Sequence, residues 1–244
     1  MLLSREDILR HLKQGTVVIE PFNDRQLQTT SYDVSLGEWY WRERAPAGRA
    51  TIHNLYDEDS TSAVWCGPFE AEPIHVLEKR LGQTFENVPK DAKAILLGPG
   101  ETILGHTQEF IGGREIVVAK MYARSSMGRN FIEVCKDAGW GDIGYFNKWT
   151  MEITNNSRHY IIPLVVGRRI AQMVFYEVAP LNKKGADYVS ESGKYQRSQD
   201  VEEVKASWNP QMMLPSMHLD WEVKMMNSEN LIENKDSLKS ETEA

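Results

Sequence analysis

Between Ala94 and Val178 the chain is a succession of short apolar or β-branched runs broken by glycine. The runs are Ala94–Leu97, Thr102–His106, Glu115–Tyr122, Phe131–Cys135, Trp149–Thr154, His159–Val166 and Ile170–Val178. Gly98-Pro99-Gly100 and Gly112-Gly113 supply turns between them. One short helix precedes this region. Ser4 and Asp7 resemble a capping box ahead of Ile8, Leu9 and Leu12, and Gly15 stops the helix. Thr16 to Phe22 is extended, with Pro21 suiting an edge. Many short strands after one helix predict a mainly β fold, a jelly roll or β-barrel with a short N-terminal helix.

The 244 residues are enough for one sizeable domain, in which about 42–92 reads as some strands and long loops. Residues 201–244 read as a C-terminal extension. Glu202 to Trp208 suits a helical turn or two, and the polar stretch after Asn227 is expected to be disordered. A net charge of −7 argues against a protein that coats nucleic acid or an anionic membrane. Cys66 and Cys135 suggest no disulfide framework, and no apolar run is long enough to span a bilayer, so a cytoplasmic protein is expected.

Chemistry concentrates between Ala123 and Asn155. Arg124, Ser125, Ser126 and Arg129 form a cationic, hydroxyl-bearing turn suited to phosphate. In the strand-like run that closes the stretch, Trp149, Met151 and Ile153 alternate with Thr150, Glu152 and Thr154. A period of two sends Glu152 away from the core side. Read alone, Glu152 is either an exposed strand glutamate or a proton-transfer group, and either arginine is a solvated basic residue or a phosphate ligand.

These residues carry a resemblance. R-S-S-M-G-R at 124–129 precedes A-G-W-G-D-I-G-Y-F-N-K-W-T-M-E at 138–152. The chain thereby resembles the dCTP deaminases, grouped with the trimeric dUTPases, whose pattern is R-S-S-x-x-R followed by A-G-W-I-D-P-G-F-x-G-x-I-T-L-E. Ser31–Gly37, Gly167–Gln172 and Gly193–Gln196 match further blocks. The resemblance spans roughly residues 1–40 and 93–200, and implies one family domain over residues 1–200 with an insertion at about 42–92. It implies a dUTPase-like distorted jelly roll, a homotrimer with shared sites, dCTP and dUTP as ligands, and Mg²⁺ carried by the triphosphate.

The resemblance also implies roles. Glu152 becomes the catalytic acid–base group, with Ser125 and Arg129 beside the reacting base and the Ala138 carbonyl holding the water. The 124–129 turn, including Met127 and Gly128, would hold phosphates. Asp142 would accept from the sugar 3′-hydroxyl, and backbone groups of Thr150 and Met151 would read the base. Gln172, Tyr188 and Lys194 match nucleotide-contacting positions. The glutamine expected four residues after Lys194 is Ser198 here, with Gln199 next. Gly141, Ile143 and Asn147 depart from the pattern and loosen the turn carrying Asp142. Asp33 is either structural support or a turn residue, and Trp140 suits a core or interface position better than base stacking.

Deaminases that use zinc carry H-x-E and P-C-x-x-C signatures. Neither occurs here, and the six histidines show no ligand spacing, so no zinc is expected. The expected reaction is zinc-independent conversion of dCTP to dUTP and ammonia. The rivals are a bifunctional enzyme that continues to dUMP and diphosphate, a plain dUTPase, and a non-catalytic nucleotide-binding regulator. A polar stretch from Ser190 to Ser198 around Gly193 has the character of a lid.

Overall fold

A computed structural model describes residues 1–46, 48, 52–181, 187–191 and 193–225. The chain opens with α1 (Arg5–Gln14), where Ser4 and Asp7 complete the capping box and Gly15 adopts the left-handed cap. Then come β1 (Val17–Glu20), β2 (Tyr32–Ser35), β3 (Trp39–Glu43), α2 (Glu58–Val64), β4 (Trp65–Glu70), β5 (Glu72–Pro73) and α3 (Ile74–Leu81). The strand-rich part follows: β6 (Lys93–Leu97), β7 (Thr102–Gly113), β8 (Val117–Ala123), α4 (Ser125–Arg129), β9 (Ile132–Val134), β10 (Trp140–Gly141), β11 (Phe146–Asn155), β12 (Ile162–Val165) and β13 (Arg169–Glu177). Two further helices close the series, α5 (Tyr188–Glu191) and α6 (Val201–Ser207).

The fold is mainly β. A six-stranded sheet runs β4-β3-β7-β11-β9, with β1 also on β7, and a four-stranded sheet runs β10-β8-β13-β2. Three short strands, β12-β6-β5, make a third sheet, and every registered pairing among the described strands is antiparallel. No sheet closes into a barrel among the described residues. The alternation in β11 is realised: Trp149, Met151 and Ile153 are buried in the main core, and Thr150 and Glu152 are half-buried on the other face. In β13, Ala171, Met173 and Phe175 enter the same core, leaving Gln172 on the opposite face.

The 42–92 segment is more helical than its sequence suggested. Asp57 caps α2 by accepting from the Ser60 amide. Pro73 precedes α3, Gly82 ends it in the left-handed region, and Ile74 and Leu77 bury one stripe. Both helices are too short for a clear period, so their signals lie in the caps.

The chain divides into two compact units. The first, Met1–Glu43 with Cys66–Met213, carries the sheets. The second combines Arg44–Trp65 with the chain from Leu214 onward. Within it, His218 Nε2 lies 3.8 Å from Glu58 Oε2. The tail expected to be disordered, after Asn227, lies outside the described residues. No helix among the described residues is long and apolar enough to cross a membrane.

Candidate active site

β11 builds the floor of a cavity of about 330 Å³. Its lining includes Glu152, Thr150 and Trp149 from the strand, and Ala138, Gly141 and Asp142 from the segment before it. A register shift between Lys148 and Thr150 is accommodated where the Trp149 amide donates to Thr107 Oγ1 at 2.9 Å. On the side away from β7, β11 pairs with β9 only from Ile153 onward among the described strands. That leaves the edge at Thr150 and Met151 without a strand neighbour there. Met151 itself points into the core, so only its backbone faces this edge.

Glu152 is the half-buried carboxylate of the cavity. Burial pushes its pKa above the ordinary glutamate value, against smaller opposing effects of a backbone hydrogen bond and of Lys136. Asp142 is exposed at the cavity wall and accepts from Trp140 Nε1 at 2.9 Å. Trp140, also exposed, thus lines the cavity and orients a carboxylate.

The roof comes from the C-terminal side. Tyr188 and Lys194 both line the cavity, as does Tyr195. Tyr188 packs its ring edge-on against Tyr145, and its hydroxyl oxygen accepts from the Tyr195 amide at 3.0 Å. Gln196 anchors this segment. It is buried, accepts from the Phe146 amide at 2.9 Å and donates to the Gly144 carbonyl at 2.7 Å. Asn147 adds a bond from Nδ2 to the Tyr195 carbonyl at 2.9 Å.

The arginine–serine turn lies elsewhere. Ser125, Ser126, Met127, Gly128 and Arg129 form α4, and none of them lines the cavity. Ser125, Ser126, Gly128 and Arg129 are exposed, whereas Met127 packs on the core. Arg129 makes no ion pair among the described residues. Arg124 precedes the helix, donates to the Arg169 carbonyl at 3.1 Å and lies 3.6 Å from Asp33 Oδ2. Asp33, buried in β2, also holds Arg169 at 2.8 Å, so it is a support for two arginines and not a turn residue. Gln172 stands opposite both Asp33 and Tyr122 in the sheet register and shares their face. It therefore belongs with Arg124, not with Glu152.

A family model for dCTP deaminase-like domains matches residues 2–178. The chain belongs to the dCTP deaminase-like family. It is 32% identical over 201 residues to a "dCTP deaminase, dUMP-forming" of Dictyoglomus thermophilum, covering 79% of this chain and 92% of that protein. A "dCTP deaminase" of Haloarcula marismortui is 31% identical with the same coverage. Among solved structures, the chain is similar to the 2′-deoxycytidine 5′-triphosphate deaminase of Agrobacterium tumefaciens, with 22% identity and a TM-score of 0.44, covering 71% of this chain and 47% of that one.

Three departures from the dCTP deaminase pattern acquire reasons in the structure. A Cβ at Gly141 would stand 2.5 Å from the Trp149 ring, so the indole occupies space that an isoleucine at 141 would need. Asn147, where the family has glycine, ties the roof segment down. Ile143 is buried, and its carbonyl accepts from the Tyr188 amide at 2.8 Å. Neither Ser198 nor Gln199 lines the cavity. Ser198 donates to Glu203 at 2.6 Å near α6, and Gln199 donates to the Gly144 carbonyl at 3.1 Å.

Sequence reasoning gave no site role to six lining residues, Trp140, Gly141, Tyr145, Trp149, Tyr195 and Met213. Tyr145 lines the cavity, and burial pushes its hydroxyl to a higher pKa. Met213 lies beyond the family match, in a region with no motif to mark it. Among the described residues no group of three or more His, Cys, Asp or Glu could hold a metal ion.

Proposed function

We propose that this chain hydrolytically deaminates dCTP. Water adds at C4 of cytosine, N3 gains a proton, and ammonia leaves as the C4–N4 bond breaks. The observation that carries this reading is a desolvated glutamate on a rigid strand, facing a walled cavity that also holds a cation, Lys194, and a second carboxylate, Asp142. A carboxylate whose pKa is raised toward neutrality is a better base, because it both takes and returns a proton near working pH. Glu152 takes the proton of the attacking water and passes it on to the base. The Ala138 carbonyl helps hold that water, the β11 edge at Thr150 and Met151 reads the base, and Asp142 receives the sugar hydroxyl. Tyr188 and Lys194 close on the nucleotide from the roof. Mg²⁺ enters as part of the triphosphate substrate, and no protein ligand set is needed for it.

Among the described residues no arginine lines the cavity, and a triphosphate calls for arginines. We infer that the α4 turn of a second copy supplies Ser125, Ser126 and Arg129 to it, within a homotrimer. Arg124, held by Asp33 and the Arg169 carbonyl, would serve the same nucleotide from that neighbouring copy, with Gln172 beside it.

The main product proposed is dUTP. Cleaving the α–β phosphate bond would need a second activated water, and the carboxylate near the sugar, Asp142, is engaged by the Trp140 indole. The dUMP-forming reading has its own support in the names of several relatives, including that of Methanococcus aeolicus at 30% identity. A time course on dCTP, resolved by anion exchange, separates the two. Accumulating dUTP supports the first. Equal rates of dUMP, diphosphate and ammonia with no free dUTP overturn it, and Asp142→Asn should then split the activities.

A further inference from the structure

The family match ends at residue 178, but the cavity does not. One of its walls is Met213, from a 3₁₀ turn at Pro210–Met213. The path to that wall is firmly built. Asp200 caps α6 by accepting from the Glu203 amide at 2.9 Å. Val204 of α6 is buried against Val18, Phe110 and Phe146. Trp208 lies over the Lys148 ammonium at 4.4 Å and against the His106 ring at 4.7 Å. Trp41 Nε1 then donates to the Pro210 carbonyl at 2.9 Å, setting the turn that delivers Met213. The side chain ends up buried, 3% exposed, within the cavity lining.

Its neighbours there are polar or aromatic, or lack a side chain beyond Cβ. Met213 is the long aliphatic group among them. An unbranched thioether fills an irregular gap closely and offers no hydrogen bond to trade for an added substituent. We propose that Met213, carried in by the extension, is a specificity-determining residue that limits the nucleoside to the size of deoxycytidine. A nucleoside one substituent larger, with a methyl at C5 or a hydroxyl at C2′, would meet this wall. The proposal rests on the deaminase reading for its substrate class.

The test uses the full-length chain with Met213→Ala, and compares dCTP, 5-methyl-dCTP and CTP. Both kcat/KM and Kd are measured, the latter by calorimetry in a Glu152→Gln background. Removing the side chain should raise the preference for one of the larger nucleotides relative to dCTP about tenfold, the size of a missing or extra small group in an apolar wall. The arm that responds identifies the base or the sugar as the part the wall touches. If all three nucleotides change by one common factor, Met213 is only structural and the assignment is overturned. Should Met213→Ala fold poorly, Met213→Cys should move the same ratio in the same direction by less, and an unmoved ratio again overturns it. Failure of the unsubstituted chain to bind dCTP would sink the deaminase reading itself, a result distinct from equal shifts in Kd.

Discussion

The cavity beside β11 and the α4 turn carry residues expected to meet one nucleotide, yet they are built in opposite ways. The cavity is walled on several sides, its carboxylate is desolvated, and its roof is tied down by buried amide groups. The α4 turn is five residues long, exposed along most of its length, and held at its start by Asp33 and the Arg169 carbonyl. Proton transfer needs a dry, shaped environment to set a pKa. Phosphate recognition needs cations that a mobile, hydrated ligand can reach. One chain thus presents a finished chemical half and an open electrostatic half, which suits a site completed across copies.

The sharpest way to break this contrast is Glu152→Gln. The amide keeps the shape but takes no proton, so ammonia release should fall by about 10²–10⁴-fold while calorimetry still records nucleotide binding. Retention of a tenth of the turnover would remove Glu152 from its role. The unsubstituted enzyme should lose activity as pH falls through the raised pKa of Glu152, placing the acid limb above the roughly 4.3 of an ordinary glutamate.

Next in size is complementation between the halves. Glu152→Gln chains and Arg129→Ala chains, each inactive alone, should regain about a quarter of wild-type activity when refolded together, because random mixing around a closed ring restores that share of shared sites. No recovery in a mixture shown by mass to contain both chains would mean that each site is served by one chain.

The roof offers a smaller effect. Gln196→Ala leaves the Phe146 amide unpaired, at about 1–3 kcal/mol, while the Gly144 carbonyl keeps Gln199 as a donor, and should raise KM up to about tenfold with little change in fold. An unchanged KM would detach the roof from substrate binding.

The smallest effect concerns the ground beneath the cavity half. His106 is buried, with Nδ1–H donating to the Thr107 carbonyl and Nε2 accepting from the Trp39 amide, and desolvation lowers its pKa from 6.5 to about 4. The unfolded chain therefore binds more protons between these values, so stability is full above pH 6.5 and falls as pH drops toward 4. Moving from pH 7 to pH 5 should cost about 2 kcal/mol through this group. Urea midpoints at both values check this against His106→Gln, which should lose that part of the slope.

Much of the site half on β11 was legible, because a period-two strand states which face each residue takes. Glu152 and Trp149 fell on the faces their positions demanded. The cap residues of α1 were equally readable. What stayed hidden depends on long-range packing. Nothing adjacent to Met213 signals a cavity, since its place is set by Trp208 and Trp41, residues that are respectively five and 172 positions before it. Gln196 could be matched to a motif, but its role as a buried anchor appears only once Gly144 and Phe146 are beside it. The residues alone did not show that Arg124 stands apart from the Glu152 cavity; only the sites shared between copies that the resemblance implies allowed for it.

The Gly141–Trp149 contact also restricts the order in which this protein can change. Restoring isoleucine at 141 first would drive a branched side chain into the indole, since even a bare Cβ there stands 2.5 Å from the ring. Shrinking Trp149 first would open a void and leave the Ile111 carbonyl without its indole donor, a loss of about 3–5 kcal/mol for a large aromatic. Each single step is therefore worse than either end point, and the two substitutions together are expected to be far milder than their sum. Gly141 and Trp149 are thus one coupled pair, to be exchanged together and not singly.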